Sequence, residues 1–476
     1  MSTSNISNQV HELTFLEFFS GVGGWSFALQ EAILSLNRDL KSTHGSEEIS
    51  FSSRCLGAYD HSDLCSSIFR HNFPRPNADS TDCSSCTTDK IDNNIISTEK
   101  RPKKKKRTKA HLSQKPVAIE KLSKQYFEEM KAIVWMMSPP CQPHTRQHDN
   151  QTEDINDPRS KSFIHICDVI KSMEFHALPK IIMLENVIGF ENSNSCKYWR
   201  RSLLSRQYSV SHFHLNPSQV GLPNDRPRYY CIAILQDQSN STLGNLDTST
   251  LKDFVSNKID TEKDLNEVPS IHNDIEPLGV FNESDVNHEH QKQISSFLDP
   301  KGSIKIESIL VPEKILSSNA SWCFDIVRPC DRRSACFTHS YGKFIRGTGS
   351  VLFIGDEDIV HSTHDCSEKI ETGKGAEQFA LISPEERTFD SNWNGMELKN
   401  KLRYFTGKEI ARLMGFPVNT TRNSIDVSKS QQSSYSFSFP ADCTLKQQWK
   451  LMGNSLNVKV AGKVAVLALQ LYLYKD

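Results

Sequence analysis

The apolar run Ile133–Met137 stops abruptly at Ser138-Pro139-Pro140, and Cys141 follows at once, flanked by Gln142 and Pro143. A run of this length and bounding suits a buried strand. Two consecutive prolines fix φ and remove two N–H donors, so the chain must leave the sheet there. Open α/β sheets bind ligands at the carboxyl ends of their strands, which is where this places Cys141. Taken alone the cysteine has two readings: a reactive thiol, or a small core side chain as many cysteines are.

The same plan recurs along the chain. Thr14–Phe19 reads as a strand, and Ser20-Gly21-Val22-Gly23-Gly24 as a turn. Trp25, Ala28, Leu29, Ala32, Ile33 and Leu36 then repeat at helical spacing. Glycines let a backbone approach a ligand closely, and a helix N-terminus adds positive partial charge. By itself such a turn is also an ordinary tight loop. A second strand, Cys55–Tyr59, closes on Asp60, a position suited to ribose hydroxyls or to capping the next helix. Next come a short strand at Val117–Glu120, a helix through Met130, a helix Phe163–Met173 and a strand Lys180–Leu184 that ends in Glu185-Asn186-Val187. Asn224-Asp225-Arg226-Pro227-Arg228 precedes a further strand, Tyr229–Leu235. The expectation is an α/β protein: a Rossmann-like sheet with helices on both faces and an antiparallel hairpin at one edge.

The 476 residues carry a formal net charge of −1, so any nucleic-acid surface must be a local basic patch. Thirteen cysteines, an odd number, and a polar N-terminal stretch predict reduced thiols in a soluble intracellular protein. No apolar run is expected to span a membrane. From 77 to 114 the sequence is dominated by Ser, Thr, Asp, Asn and Lys, which reads as a disordered insertion. Its run Arg101 to Arg107 is a nuclear signal, an RNA tether or a solvated charge cluster, giving a cytoplasmic or nuclear location. Cys83 and Cys86 have no matching pair nearby, and no metal site is expected.

In order, the chain presents FFSGVGG, MSPPCQPHTR, LENVIGFE, GLPNDRPRYY, the block Asp331–Leu352 with Cys336-Phe337-Thr338, and LMGNSLNVKV. Jointly these resemble the cytosine-5 methyltransferases, and within them the eukaryotic tRNA subgroup that descends from DNA methyltransferases. The resemblance covers most of the chain outside the insertions. It implies a catalytic region over 13–235 after a polar tail at 1–12. A smaller, irregular target-recognition region over 236–402 would follow, then a C-terminal part at 403–476 that completes the catalytic fold. The tracts 355–400 and 420–444 are expected to be loops.

The chemistry fits these residues on its own terms. Carbon 5 of cytosine is a poor nucleophile until a thiolate adds at carbon 6 and turns the ring into an enamine. A cysteine suits the step because a thiol of pKa about 8.5 is already a few per cent thiolate at neutral pH. Cys141 is therefore the expected nucleophile. By resemblance Glu185 protonates ring nitrogen 3, for which burial would have to raise its pKa. Arg228 would grip the cytosine carbonyl oxygen.

The resemblance also implies S-adenosylmethionine as methyl donor. Phe18, Ser20, Gly21, Gly23 and Gly24 would hold its methionine half, Asp60 the ribose, and His61 and Ile119 the adenine. Pro139, Asn454, Ser455 and Val458 would close the pocket, Asn454 and Ser455 also being candidates for a helix N-cap. For the acceptor, Cys336, Phe337 and Thr338 mark the tRNA subgroup. Lys343, Arg346 and Lys408 are candidate phosphate contacts or plain surface charge, and Arg226 is structural or phosphate-facing. The expected partner is an anticodon stem-loop, most often of aspartate tRNA, with weak DNA binding a remaining option. A DNA methyltransferase and a non-catalytic nucleic-acid-binding homologue are the alternative readings. The chain departs from its relatives at His144, at Gln147-His148 and at Ala118, where many of the wider superfamily carry a carboxylate.

Overall fold

The computed structural model describes residues 9–44, 49–74, 118–140, 154–236, 291–355, 393–419 and 435–473. The first unit is strand β1 (Gln9–Phe18), helix α1 (Gly24–His44), strand β2 (Ile49–Tyr59) and helix α2 (Asp63–Asn72). It continues with α3 (Lys124–Met130), β3 (Val134–Met137), α4 (Lys161–Ser172), β4 (Ile181–Val187), α5 (Asn194–Leu204), β5 (Tyr208–Leu215) and β6 (Arg228–Leu235). The six strands form one sheet in the order β2-β1-β3-β4-β6-β5. β1, β2, β3 and β4 run parallel, while β6 lies antiparallel between β4 and β5.

Strand alternation sorts the side chains onto two buried faces. Val134 and Met136, Ile181 and Met183, and Tyr230 and Ile232 belong to one core; Trp135 and Met137, Ile182 and Leu184, and Tyr229 and Cys231 belong to the other. This is why the strands read as continuous apolar runs. Helices α3, α4 and α5 contribute to the second core, with Phe127, Phe163 and Trp199 fully enclosed. On the first face lies α1, and against it packs α9 (Val458–Leu473), whose Val460, Ala461, Val464, Ala465 and Ala468 are buried.

Around the first core the chain adds α6 (Glu313–Leu316) and a three-stranded sheet of β7 (Asp325–Val327), β8 (Ser350–Phe353) and β9 (Leu402–Arg403). Helix α7 (Gly407–Leu413) and α8 (Leu445–Asn454) follow, both opened by capping boxes, Thr406/Glu409 and Thr444/Gln447. Beneath α7, Arg403 holds Glu409 through two hydrogen bonds of 2.8 Å. Arg412 reaches Asp299 at 2.7 Å. Both pairs are buried.

Several sequence expectations are corrected. β1 reaches back to Gln9, into the stretch read as a polar tail. Ile119–Lys121 is a single 3-10 turn rather than part of a strand, because Ile119 buries into the second core beside α4. Within the expected loop 420–444, residues 435–444 are described, and Tyr435 and Phe437 wedge edge-on against Phe27. Within 355–400, Trp393 donates to Ser321 Oγ at 2.7 Å and a 3-10 turn forms at Gly395–Leu398. By length and composition Leu445–Leu473 resembles a membrane span, contrary to expectation. It is broken into α8 and α9 at Ser455-Leu456-Asn457, and its apolar side faces α1 and the sheet. The insertion 77–114, including the basic run, lies outside the described residues.

Candidate active site

The register brings the functional strand ends to one edge. Phe18 pairs with both Tyr59 and Met137, and Val187 pairs with Arg228. Since β6 runs the opposite way, its first residue arrives where β4 finishes. Glu185 pairs with Tyr230, so Glu185 and Arg228 are diagonal neighbours on the same face. Arg228 Nε lies 3.5 Å from Glu185 Oε1, both largely buried.

Arg228 has a second neighbour in Cys336. Its Nη2 points at Cys336 Sγ, 3.8 Å away, and Arg226 Nη1 donates to the same sulfur at 3.2 Å. Burial pushes the Cys336 thiol up, but the two guanidiniums outweigh it and hold the thiol below its ordinary range. Burial likewise opposes the charge on Arg228, yet Cys336 and Glu185 raise its pKa above the usual arginine value. Arg226 is only 3% exposed and donates also to Phe337 O, Gly453 O and Ser455 O. It ties three distant motifs together, which is the structural one of the two roles expected for it. Phe337 is corrected too: fully buried between Tyr341 and Phe405, it is a core ring, not a substrate contact. Thr338 serves the loop backbone, its N–H donating to Thr348 O at 3.0 Å. Lys343, Arg346 and Lys408 are exposed.

Beside this edge lies an open cleft. Of the expected cofactor residues, Ser20, Gly21, Gly24, Asn454 and Ser455 line it. Phe18, Gly23, Asp60, His61, Ile119, Pro139 and Val458 do not, and the reasons are physical. Phe18 sits in the second core, edge-on to Trp135 and stacked on Tyr59. The next residue, Phe19, has φ +54°, which breaks the strand alternation: half-buried, it packs at the margin of the second core and lines the cleft. Gly23 is required by packing: a Cβ there would meet the Phe73 ring at 2.6 Å. Asp60 spends its carboxylate on the turn, accepting from Gly21 N at 2.9 Å and Ser62 N at 2.8 Å. Ser62, not Asp60, caps α2. The His61 side chain is 87% exposed. Asn454 ends α8 and Ser455 follows it, so neither is an N-cap; Asn457 caps α9 by accepting from Lys459 N and Val460 N.

Gly21 adopts φ +52°, and a Cβ built on it would meet nothing within 4 Å. A bare backbone facing an open cleft just before a helix suits a polar ligand. The sequence reading missed three residues that shape this place. Glu17 accepts from Trp25 N and Ser26 N at 3.2 and 3.1 Å and from Ser26 Oγ, so its carboxylate caps α1. Burial pushes Glu17 up to about 7 against the pull of those hydrogen bonds. Trp25 Nε1 donates to Met137 O and Ser138 Oγ, at 3.2 and 3.1 Å. Asn186 Nδ2 donates to Pro139 O at 3.3 Å, pinning the root of the segment that carries Cys141. Glu17 and Trp25 flank the glycine turn and Asn186 stands inside LENV, so position within a motif was the available signal. Cys141, His144, Gln147 and His148 lie outside the described residues.

The sequence matches, over residues 93–467, the family described as C-5 cytosine-specific DNA methylase. The chain belongs to that family and is a cytosine C-5 methyltransferase. It is 28% identical over 478 residues to the tRNA (cytosine(38)-C(5))-methyltransferase of Mus musculus, covering 95% of this chain and 92% of the mouse protein. It is 31% identical over 368 residues to a DNA (cytosine-5)-methyltransferase of Dictyostelium discoideum, covering 73% and 79%. The crystal structure of the S. pombe Dnmt2 methyltransferase superposes with a TM-score of 0.55 at 25% identity, covering 97% of this chain and 98% of that one.

Proposed function

We propose that this chain transfers a methyl group from S-adenosylmethionine to a cytosine in a tRNA anticodon loop, cytosine 38 of aspartate tRNA being the expected target. The observation that carries the reading is the Glu185–Arg228 pair at the sheet edge where Asn186 pins Pro139, two residues before Cys141. Extruding a base from a loop costs less than from a duplex, so a tRNA loop is a favourable acceptor. The mouse relative's name supports tRNA. The Dictyostelium relative's name favours DNA, which is the second reading.

In this reading Ser20, Gly21, Gly24, Asn454 and Ser455 hold S-adenosylmethionine, with the Phe19 ring taking the place first given to Phe18. Bound there, the donor supplies an electrophilic methyl on a sulfonium. The Cys141 thiolate adds to carbon 6, forming an S–C bond, while Glu185 delivers a proton to nitrogen 3 and Arg228 holds the carbonyl oxygen. The electron pair displaced onto carbon 5 would take the methyl as its bond to the sulfonium sulfur breaks, that bonding pair staying on sulfur so that the neutral thioether S-adenosylhomocysteine leaves. A base then removes the carbon-5 proton, nitrogen 3 returns its proton, and the S–C bond breaks to restore the thiolate. The fixed charge on Arg228 acts where negative charge develops, with no reorganisation needed.

The test incubates the purified chain with methyl-labelled S-adenosylmethionine and either total tRNA or duplex DNA, then maps the modified base. Label is expected in tRNA, and Cys141→Ala abolishes it. Duplex DNA methylated at an equal or greater rate overturns the acceptor assignment. Unimpaired turnover in Cys141→Ala overturns the nucleophile.

A further inference from the structure

Among the described residues, the exposed large apolar side chains are Val10, Leu34, Leu204, Ile306 and Phe344, and of these only Phe344 is aromatic. It is 57% exposed. The backbone beneath it is tightly held. Thr338 N donates to Thr348 O and Lys343 N to Ser340 O, while Thr348 Oγ1 donates to the carbonyl of Phe344 itself at 2.8 Å. Tyr341 Oη anchors the same loop to Ser350 O at 2.6 Å and accepts from Phe405 N at 3.0 Å. A Cβ on Gly342 would meet Trp449 at 2.4 Å, so the loop sits directly on that ring. Phe344 is therefore a ring held out on a fixed platform.

Its surroundings are cationic. Lys343 Nζ lies 5.1 Å from the Phe344 ring centroid, and Lys343 and Arg346 are exposed. From Arg332 to Gly355 the sequence contains no carboxylate. The platform also begins at the active site, because Cys336, the shared partner of Arg226 and Arg228, stands two residues before Thr338. An exposed ring flanked by cations matches what single-stranded nucleic acid requires: a face for a base and charges for its phosphates.

We propose that Phe344 stacks on an unpaired base of the RNA acceptor beside the target cytosine, with Lys343 and Arg346 on the adjoining phosphates. The inference rests on the tRNA reading above and adds to it how an open loop is preferred to a duplex, whose bases are already stacked. A stacked base contributes about 5- to 100-fold to affinity.

The test measures kcat and KM for total tRNA, at saturating S-adenosylmethionine, in wild type, Phe344→Ala, Phe344→Trp and the double variant Lys343→Ala/Arg346→Ala. Alongside, an anticodon stem-loop with 2-aminopurine next to the target cytosine reports stacking by fluorescence quenching. Phe344→Ala is expected to raise KM about tenfold, change kcat far less and lose the quenching, and Phe344→Trp to restore both. The double variant is expected to flatten the salt dependence of binding, which Phe344→Ala leaves unchanged. A tRNA KM and quenching in Phe344→Ala within twofold of wild type overturn the proposal. If wild type methylates duplex DNA and ignores tRNA, the acceptor reading has failed, and the quenching assay still decides Phe344 separately.

Discussion

Arg226 and Cys336 are 110 positions apart, yet one guanidinium N–H of Arg226 reaches the Cys336 sulfur at 3.2 Å. The same side chain carries hydrogen bonds to Phe337 O at 2.8 Å, Gly453 O at 3.0 Å and Ser455 O at 2.6 Å. A buried arginine with this many partners is a clamp between the sheet edge that carries Arg228 and the cleft, since Ser455 lines that cleft.

Arg226→Ala should therefore act in two ways. Three buried carbonyls lose a charged donor, lowering stability by about 3–5 kcal/mol in urea unfolding. Cys336 also loses the first of its two neighbouring cations. Its alkylation by iodoacetamide at neutral pH, followed by peptide mass spectrometry, should slow relative to wild type, because less thiolate is present. Unchanged alkylation would mean that Arg226 does not ionise the sulfur.

Phe18 and Phe19 should part company when mutated. Phe18→Ala empties a core site between Trp135, Tyr59 and Phe127 and should cost about 3–5 kcal/mol of stability. Phe19→Ala should leave the melting temperature nearly unchanged and weaken S-adenosylmethionine binding by calorimetry. The reverse pattern would refute the side-chain assignment made here.

Glu17 gives a pH signature whose sign is fixed. Its folded pKa, about 7, lies above the ordinary value of 4.5. The folded state thus binds the proton more tightly, and the stabilisation is complete below about 4.5 and lost as pH rises through 7. At most ~3 kcal/mol is involved. Thermal melts of wild type and Glu17→Gln from pH 4 to 8 should show wild type losing ground to the variant with rising pH. Parallel curves would show that the carboxyl is not protonated in the fold.

The Arg403–Glu409 pair does not line the cleft, so Glu409→Ala separates stability from chemistry. An uncompensated buried guanidinium should cost about 3–5 kcal/mol. Donor affinity measured well below the unfolding transition should be unaffected. A loss of affinity without a loss of stability would contradict the role given to this pair.

Much of the catalytic edge was legible because strand ends are marked by changes in residue type. The apolar runs stop at Met137 and Leu184, and Glu185 and Arg228 stand where polar residues begin. What was not legible depended on tertiary contact. A positive φ at Phe19 puts two consecutive rings against one core, Phe18 inside it and Phe19 at its margin, and alternation alone cannot reveal that. Arg226 stayed open between a structural and a phosphate-facing role because its acceptors are carbonyls, which carry no residue identity. The break between α8 and α9 and the cap at Asn457 were hidden inside an apolar stretch. Tyr435 and Phe437 were lost among serines, although Phe27 and Phe416 were waiting to receive them.

The walls of the cleft come from Glu17–Gly24 on one side and Leu451–Leu456 on the other. During synthesis on a ribosome, the first wall would emerge hundreds of residues ahead of the second. On the function proposed above, a nascent fragment lacking the latter would not retain the methyl donor, so premature termination upstream of Leu451 would yield chains with one wall of the cleft only.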